Sequence, residues 1–459
     1  MIITNRRKRV KQIDMLNGSL FDKILKFAIP IAATSILQQL FTSVDIAVLG
    51  KFATSKAQAA VGCNGAVINV ILNLFIGISV GVNVVIARYI GENKKEKIKE
   101  TVHTAILIAA IIGVFLLIVG IFISRHILMW VNTPENIIEY AILYLRIYFI
   151  GVPFMMIYNF GSAILRSTGN TKGPLYCLAL AGVANVGLNL ILVIYFHLGV
   201  AGVAIGTVVS NIICSCMVMY LLMHEEGYIK VSLRKLKISI CQLKEILKIG
   251  LPAGLQTVVF SLANVCIQAC LNGYGSNAVA GSSITINYEC YAYFFIASIV
   301  QATVTFTSQN FGAKQYDRCK KIFVQTIAIS ILVSAIMSIC FIFGRDFFIS
   351  LFTSEPKVAK YASIRMIHLF SFYILISFYE VTGGALRGIG YSMTPAILTI
   401  FGTCILRLLW IATVCKKYTS FETLISVYPV SWAITGILVT SSYFIIRKKV
   451  FEKGVKDMG

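Results

Sequence analysis

The sequence predicts an all-α polytopic membrane protein with twelve transmembrane helices, arranged as two pseudo-symmetric six-helix lobes around a central cavity. Two observations support this fold class. Of the 459 residues, 58% are apolar and 13% are charged, whereas a water-soluble protein is about 45–50% apolar and about 25% charged. The apolar residues also fall into runs long enough to cross about 30 Å of hydrocarbon. Such a chain cannot cover a soluble surface with polar groups, so it requires lipid around it.

The individual helices follow from apolar runs bounded by charged residues and by Gly, Pro or Asn turns. Those of the first half are predicted near residues 24–49, 61–87, 102–124, 139–161, 174–196 and 199–223. Those of the second half are predicted near residues 246–271, 279–309, 322–344, 359–384, 395–415 and 422–446. Unpaired backbone amides are costly in hydrocarbon and the runs are too long for barrel strands, so each run is predicted to be a helix.

The two halves of the chain resemble each other. The sequence LRSTG at 165–169 corresponds to LRGIG at 386–390, a shift of 221 residues, and Gly91 corresponds to Gly312 at the same shift. Each repeat holds six helices, an even number, so both repeats enter the membrane from the same side. Two such lobes can rock about a central site, as in a carrier, although duplication also occurs in channels and some membrane enzymes.

Domain boundaries follow from the repeat. We predict an N-lobe over residues 1–223, a basic cytoplasmic linker over 224–245 and a C-lobe over 246–459. With a cytoplasmic N-terminus, 28 of the 41 Lys and Arg residues fall in the cytoplasmic segments between the predicted spans and 7 in the segments on the opposite side. This bias places both termini in the cytoplasm of a cell (plasma or inner) membrane, and it explains the net charge of +22 without nucleic acid.

Three acidic residues lie within the predicted spans, where an ionised side chain is expensive. They are Asp45 in the first helix, Glu289 in the eighth and Glu380 in the tenth. A buried carboxyl can exchange a proton or a sodium ion near neutral pH, which is the chemistry of a coupled carrier. The alternative is that an acid pairs structurally with one of the arginines in the spans, which are Arg146, Arg365 and Arg407.

Amide side chains are the second set of candidates. Asn185 and Asn189 are four residues apart on the fifth helix and so share one face, from which they can bond Asp45 or a bound cation. Gln38 and Asn159 are further candidates for contact with a substrate. Amides also hold membrane helices together, and that structural reading stays open.

These residues resemble the MATE (multidrug and toxic compound extrusion) family, within the wider MOP superfamily that includes flippases. The resemblance rests on VD at 44–45 with Gly50 five residues later, on RYIG at 88–91, and on the LRxxG motif in both halves. It covers nearly the whole chain. It implies a two-lobed secondary antiporter that expels cationic, amphipathic drugs in exchange for H+ or Na+, with Asp45 at the N-lobe acidic position.

The chain departs from the family pattern in three places. Relatives commonly have Asn followed four residues later by Asp on the fifth helix, but here both are Asn. In the NorM-type branch an acid lies eight residues after the seventh-helix proline and another in the tenth helix, where this chain has Phe260 and Ile376. We therefore predict cation coupling by Asp45, Asn185 and Asn189. Substrate binding is predicted for Gln38, Asn159, Glu289 and Glu380.

Other functional classes are less well supported. The sequence has no HExxH zinc pair, GxSxG elbow or Walker loop, so we expect neither an enzyme nor ATP as the energy source. The twelve cysteines are scattered and none forms a CxxC pair. We expect a monomer that binds small organic cations without a cofactor. A flippase for a lipid-linked or polysaccharide precursor is the alternative, and it would require basic residues in the cavity for phosphate.

Overall fold

The computed structural model describes residues 12–131, 133–225 and 227–456. Within these ranges the chain is helical and has no strand, which confirms the predicted all-α membrane fold. The ends of the two predicted lobes, residues 1–11 and 457–459, lie outside the described residues, as does residue 226 of the predicted linker.

The first half of the described chain contains six long helices. They are α1 (Phe21–Phe52), α2 (Ser55–Gly91), α3 (Lys95–Trp130), α4 (Glu135–Ser167), α5 (Lys172–Leu190) and α6 (Gly199–His224). A π-helical segment, Ile191–Tyr195, extends α5, and a short 3-10 turn, Leu233–Lys235, lies in the linker. Each predicted span of the first half therefore has a corresponding helix.

The second half divides into more pieces. Its helices are α7 (Ile240–Asn272), α8 (Ser276–Gly312), α9 (Tyr316–Phe343), α10 (Arg345–Ser350), α11 (Pro356–Phe370), α12 (Ile374–Gly388), α13 (Met393–Thr399), α14 (Leu406–Lys417), α15 (Phe421–Ile425) and α16 (Val427–Lys456). A π-helical segment, Ile400–Ile405, joins α13 to α14. Among the described residues, 11 helices can cross a membrane, or 12 if the bent pair α11 and α12 forms one span.

The predicted continuous helix over 359–384 is wrong, because α11 and α12 meet at a bend of 51°. Neither Pro nor Gly marks the break. Instead, the amides of Phe372 and Tyr373 bond the carbonyls three residues earlier, at 3.2 and 3.4 Å. The break coincides with the burial of Tyr373, which is 0% exposed and whose hydroxyl donates to the backbone carbonyl of Glu289 at 3.1 Å. A tertiary contact therefore accompanies the break, and periodicity could not reveal it.

The described chain forms two compact units. The first holds the chain up to Asn64 together with Lys95–Ser239, and in it α4 packs against α3 and α6 while α5 packs against α1 and α6. The second holds Gly65–Lys94 and the chain from Ile240 onward, with α8 packed against α9, α11 and α12. The later part of α2 thus belongs to the second unit, although its sequence lies within the predicted N-lobe.

The repeated LRxxG motif has the same conformation in both halves. Gly169 follows α4 with φ of +87°, and Gly390 follows α12 with φ of +97°. In each copy the amide after the glycine bonds the carbonyl of the motif leucine, at 3.0 Å for Asn170 and 2.9 Å for Tyr391. This is a Schellman helix end, which favours glycine because only glycine adopts a positive φ without strain. The motif is therefore a duplicated helix stop.

Candidate cation-coupling site

Asp45 lies on α1 in the first unit and is 8% exposed. Its carboxylate accepts hydrogen bonds from three neutral side chains. Asn189 donates through Nδ2 to Oδ1 at 2.5 Å, and Thr207 donates through Oγ1 to Oδ2 at 3.4 Å. The side-chain amide of Asn185 has one orientation in which both its nitrogen and its oxygen form hydrogen bonds. In that orientation Asn185 Nδ2 donates to Asp45 Oδ1 at 3.0 Å, and Asn185 Oδ1 accepts from the Thr207 backbone amide at 3.3 Å. The structure therefore brings together the three residues predicted for coupling.

Helical spacing positions these groups. Asn185 and Asn189 are one turn apart on α5, so both amides face the same side and reach one carboxylate oxygen. The neighbouring helix α6 supplies Thr207 and, beside it, Gly206. A methyl group at Gly206 would collide with Asn189 Oδ1. The absence of a side chain at Gly206 thus makes room for the Asn189 amide beside Asp45.

Sequence reasoning missed Thr207, Tyr144 and Tyr148. The two tyrosines are one turn apart on α4, their rings stack at 6.0 Å, and both interact electrostatically with Asp45. A hydroxyl in an apolar helix is common, because it can bond its own backbone, as Thr207 also does to the Val203 carbonyl at 3.0 Å. Nothing in the local sequence therefore distinguished these residues from ordinary helix packing.

The carboxylate of Asp45 has no cationic partner among the described residues. No Lys, Arg or His lies within 4.0 Å of its oxygens, and Arg146, which the sequence offered as a partner, is exposed. Within the same site Asn189 Oδ1 is buried and accepts no hydrogen bond. The site thus presents a carboxylate and a free amide oxygen with neutral donors around them, and no built-in positive charge.

Glu289 has a different environment. It lies on α8 in the second unit, and its Oε2 is 3.5 Å from Nη2 of Arg365, whose side chain is 2% exposed against 21% for Glu289. This is the structural pairing that the sequence left open for an acid in a span. The substrate-binding role of Glu289 stays a prediction.

Glu380 lies on α12, also in the second unit. Its Oε1 accepts a hydrogen bond from the Tyr293 hydroxyl at 3.2 Å, and it interacts electrostatically with Arg387. Arg387 itself donates to Gln256 Oε1 at 2.8 Å. Glu380 therefore belongs to a polar group of the second unit.

The two remaining candidates lie in the first unit and do not bond Asp45. The side chain of Asn159 donates to the Met155 carbonyl at 2.9 Å, within α4. Gln38 is exposed on α1, and its backbone carbonyl accepts from the Thr42 hydroxyl at 3.1 Å. Their predicted contact with a substrate stays a prediction.

A buried acid with neutral donors, set among long apolar helices, is typical of membrane transport proteins that carry ions. The family model MatE matches residues 30–191 and 252–412, which is more than half of the chain and corresponds to its two repeats. The chain belongs to the MATE family of transporters, as its sequence resemblance predicted.

Several bacterial relatives have similar sequences. The probable multidrug resistance protein YoeA of Bacillus subtilis is 29% identical over 74% of this chain and 75% of its own length. YpnP of the same organism, also described as a probable multidrug resistance protein, is 26% identical over 87% of this chain and 89% of its own. The probable multidrug resistance protein NorM of Thermotoga maritima is 27% identical over 86% of each chain.

Solved structures share the fold. An outward-facing multidrug resistance MATE transporter of the MOP superfamily superposes with a TM-score of 0.87 at 23% identity, covering 98% of this chain and 100% of its own. A MOP superfamily transporter from Pyrococcus furiosus superposes with a TM-score of 0.89, also at 23% identity, over 96% of this chain and 99% of its own. The similarity extends over essentially the whole membrane fold.

Proposed function

We propose that this chain is a secondary-active antiporter that exports cationic amphipathic compounds in exchange for protons or sodium ions. The family and the names of the relatives support export of drugs. One observation supports cation coupling: Asp45 is buried in a membrane-spanning helix with hydrogen-bond donors but no positively charged neighbour among the described residues.

The physical argument concerns charge balance. An ionised carboxylate in an apolar environment is costly unless a positive charge or a proton neutralises it, and hydrogen bonds from amides and a hydroxyl offset only part of that cost. Since no side chain in the described part of the chain supplies the charge, a mobile cation is the natural partner for Asp45. Binding and release of that cation would change the charge of α1, and such a change can bias a transporter between two conformations.

The polar groups around Asp45 could accommodate either a proton or a sodium ion. A proton on Asp45 would convert the carboxylate into a hydrogen-bond donor. A sodium ion would be coordinated by the carboxylate oxygens of Asp45, by the buried Asn189 Oδ1 and by the amide oxygen of Asn185. Proton coupling is our preferred hypothesis, and imposed gradients distinguish the two.

We further propose that the protein acts as a monomer in the plasma or inner membrane with both termini in the cytoplasm. The distribution of Lys and Arg along the sequence supports that orientation. Apart from the exchanged ion, the proposal requires no cofactor.

The test uses the purified full chain in proteoliposomes with ethidium as the transported probe. A proton gradient and a sodium gradient are imposed separately, and ethidium movement is followed by fluorescence. We expect transport under one of the two gradients and its loss in Asp45→Asn, which keeps the side-chain size but removes the charge. Gradient-driven ethidium transport that survives in Asp45→Asn would show that Asp45 is not the coupling residue.

Asp317→Asn is the matched control. It removes one carboxylate from α9, where Asp317 is exposed and paired with Lys320 at 2.8 Å. It should transport ethidium like the unmodified protein. If ethidium moves under neither gradient in the unmodified protein, drug antiport is wrong, and transport of a lipid-linked precursor becomes the alternative to examine.

A further inference from the structure

Arg407 is a buried positive charge in the middle of a predicted span. It lies on α14 in the second unit and is 0% exposed. Its Nε donates to Ser431 Oγ at 3.2 Å, and its Nη1 donates to Asn264 Oδ1 at 3.1 Å. Both acceptors are neutral. Nη2 is buried and has no hydrogen-bond partner among the described residues.

A comparison with Arg365 shows that Arg407 lacks a carboxylate partner among the described residues. Both arginines lie against the ring of Tyr428, with the guanidinium carbon 5.2 Å from the ring centre for Arg365 and 4.6 Å for Arg407. Arg365 has a carboxylate partner in Glu289 at 3.5 Å. No carboxylate of the described chain lies within 4.0 Å of the Arg407 guanidinium.

Aromatic rings cover the guanidinium of Arg407. Besides Tyr428, the ring of Phe260 lies 5.2 Å from its central carbon. This unit therefore places two aromatic rings against an arginine that has no carboxylate within 4.0 Å among the described residues.

An uncompensated guanidinium in an apolar environment requires an anion for charge balance. The faces of aromatic rings attract a cation only weakly. A water molecule could accept hydrogen bonds from the free N–H groups, but it carries no charge and so would not neutralise the guanidinium. The unfilled donors of Arg407 suit an oxyanion in particular, because a guanidinium matches the planar oxygens of a carboxylate or the oxygens of a phosphate.

We propose that Arg407 is a binding residue for the oxyanion of an amphipathic aromatic ligand, so that transported compounds include molecules carrying a carboxylate or phosphate. Phe260 and Tyr428 provide aromatic surface for the body of that ligand, and Nη2 of Arg407 binds its acidic group. The inference rests on the proposed transport of organic compounds and extends the substrate class from cations to zwitterions and anions.

A matched pair of dyes tests this binding directly. Rhodamine 110 carries a free carboxylate, and rhodamine 123 is its methyl ester, so the two differ in that charge and in one methyl group. Binding of each dye to the purified full chain in phosphatidylcholine nanodiscs is measured by fluorescence polarisation. Benzoate is then added as a competitor, with an equal concentration of chloride as the salt control.

We expect the unmodified protein to bind rhodamine 110 more tightly than rhodamine 123, and benzoate to displace rhodamine 110. In Arg407→Gln the affinity for rhodamine 110 should fall about tenfold or more, since a hydrogen bond to a charged group is lost. The affinity for rhodamine 123 should change by less than about twofold. Unchanged rhodamine 123 binding also shows that the variant is folded.

Arg345→Gln is the charge-matched control, because it also removes one arginine from the second unit, where the Arg345 side chain is 35% exposed and lies 3.6 Å from Asp346. Its preference for rhodamine 110 over the ester should remain. The proposal would be overturned if the unmodified protein bound the two dyes equally and benzoate displaced neither. This measurement can be made without any variant. An equal loss of both dyes in Arg407→Gln and Arg345→Gln would also count against it.

A phospholipid headgroup could supply the same oxyanion. Repeating the titration in nanodiscs containing phosphatidylglycerol separates the two sources. If the lipid occupies the site, rhodamine 110 binding weakens in these nanodiscs and Arg407→Gln abolishes the difference between the two lipids. An unchanged affinity identifies the soluble compound as the ligand. Ethidium transport that succeeds while the dye preference is absent would refute this inference and leave the proposed antiport intact.

Discussion

At the scale of single residues, two buried charges of this chain lack a partner of opposite charge among the described residues. Asp45 is surrounded by neutral donors, and Arg407 by neutral acceptors and rings. Glu289 and Arg365, by contrast, neutralise each other at 3.5 Å. Composition and position identified all four as unusual, because charges are rare in apolar spans. Only the contacts distinguish the paired charges from the unpaired ones.

A glycine beside Asp45 provides a test at this scale. In Gly206→Ala the added methyl group would collide with Asn189 Oδ1 and displace the amide that bonds Asp45. We expect gradient-driven ethidium transport to fall at least about tenfold, since a bond to a charged group is worth about 1.5–3 kcal/mol.

Gly187→Ala on α5 is the control for Gly206→Ala, because a methyl group there meets no atom within 4 Å. It should transport normally, and its thermal unfolding temperature should stay the same or rise, since alanine favours helix more than glycine. Equal activity of the two alanine variants would mean that Asn189 tolerates displacement.

At the scale of helices, glycine permits a close crossing between the later part of α2 and α7 in the second unit. A methyl group at Gly77 would collide with the backbone of α7 at Gly254, and one at Gly81 would collide with it at Ile246 and Gly250. Small residues at such crossings let helix backbones approach, and dispersion then stabilises the pair. The sequence shows these glycines, but it does not show which helix they face.

Overpacking this crossing should destabilise the protein. For Gly81→Ala we expect a loss of about 1–3 kcal/mol, because the added methyl group meets backbone atoms that cannot rotate away. Gly62→Ala is the control on the same helix, since nothing lies within 4 Å of a methyl group there. Thermal unfolding in detergent measures both. A Gly81→Ala transition at or above that of Gly62→Ala would contradict the close crossing.

At the scale of the whole molecule, the two compact units do not coincide with the two halves of the sequence. Residues 65–94 pack in the second unit, so that unit holds the later part of α2 in addition to the helices from Ile240 onward. The repeat is nevertheless visible in local structure, because the helix ends after α4 and α12 share one hydrogen-bond pattern. The sequence repeat therefore predicts the individual helices better than it predicts how the helices divide between the two compact units.

The packing of residues 65–94 in the second unit leads to a prediction for the protein expressed as two fragments. A fragment covering 240–459 expressed alone should be aggregation-prone or melt at a lower temperature, because the helical surface that packs on α2 is uncovered. Co-expression with the fragment 1–239 should restore a stable complex, measured by co-purification and thermal unfolding.

A first fragment carrying Gly77→Leu and Gly81→Leu is the control for this rescue, and it should restore less stability. If the fragment 240–459 is as stable alone as in the complex, residues 65–94 contribute nothing to the second unit.

The membrane fold, most helix positions, the internal repeat and the polar candidates in the spans could all be predicted from the amino-acid sequence. These properties depend on local composition and on the cost of placing charge or unpaired backbone in hydrocarbon, which acts on each segment separately. Only the folded structure shows that Thr207 joins Asn185 and Asn189 at Asp45, that Glu289 is paired, that α11 and α12 are bent, and that part of α2 joins the second unit. Each of these depends on contacts between residues far apart in the chain, and helical periodicity carries no information about such contacts.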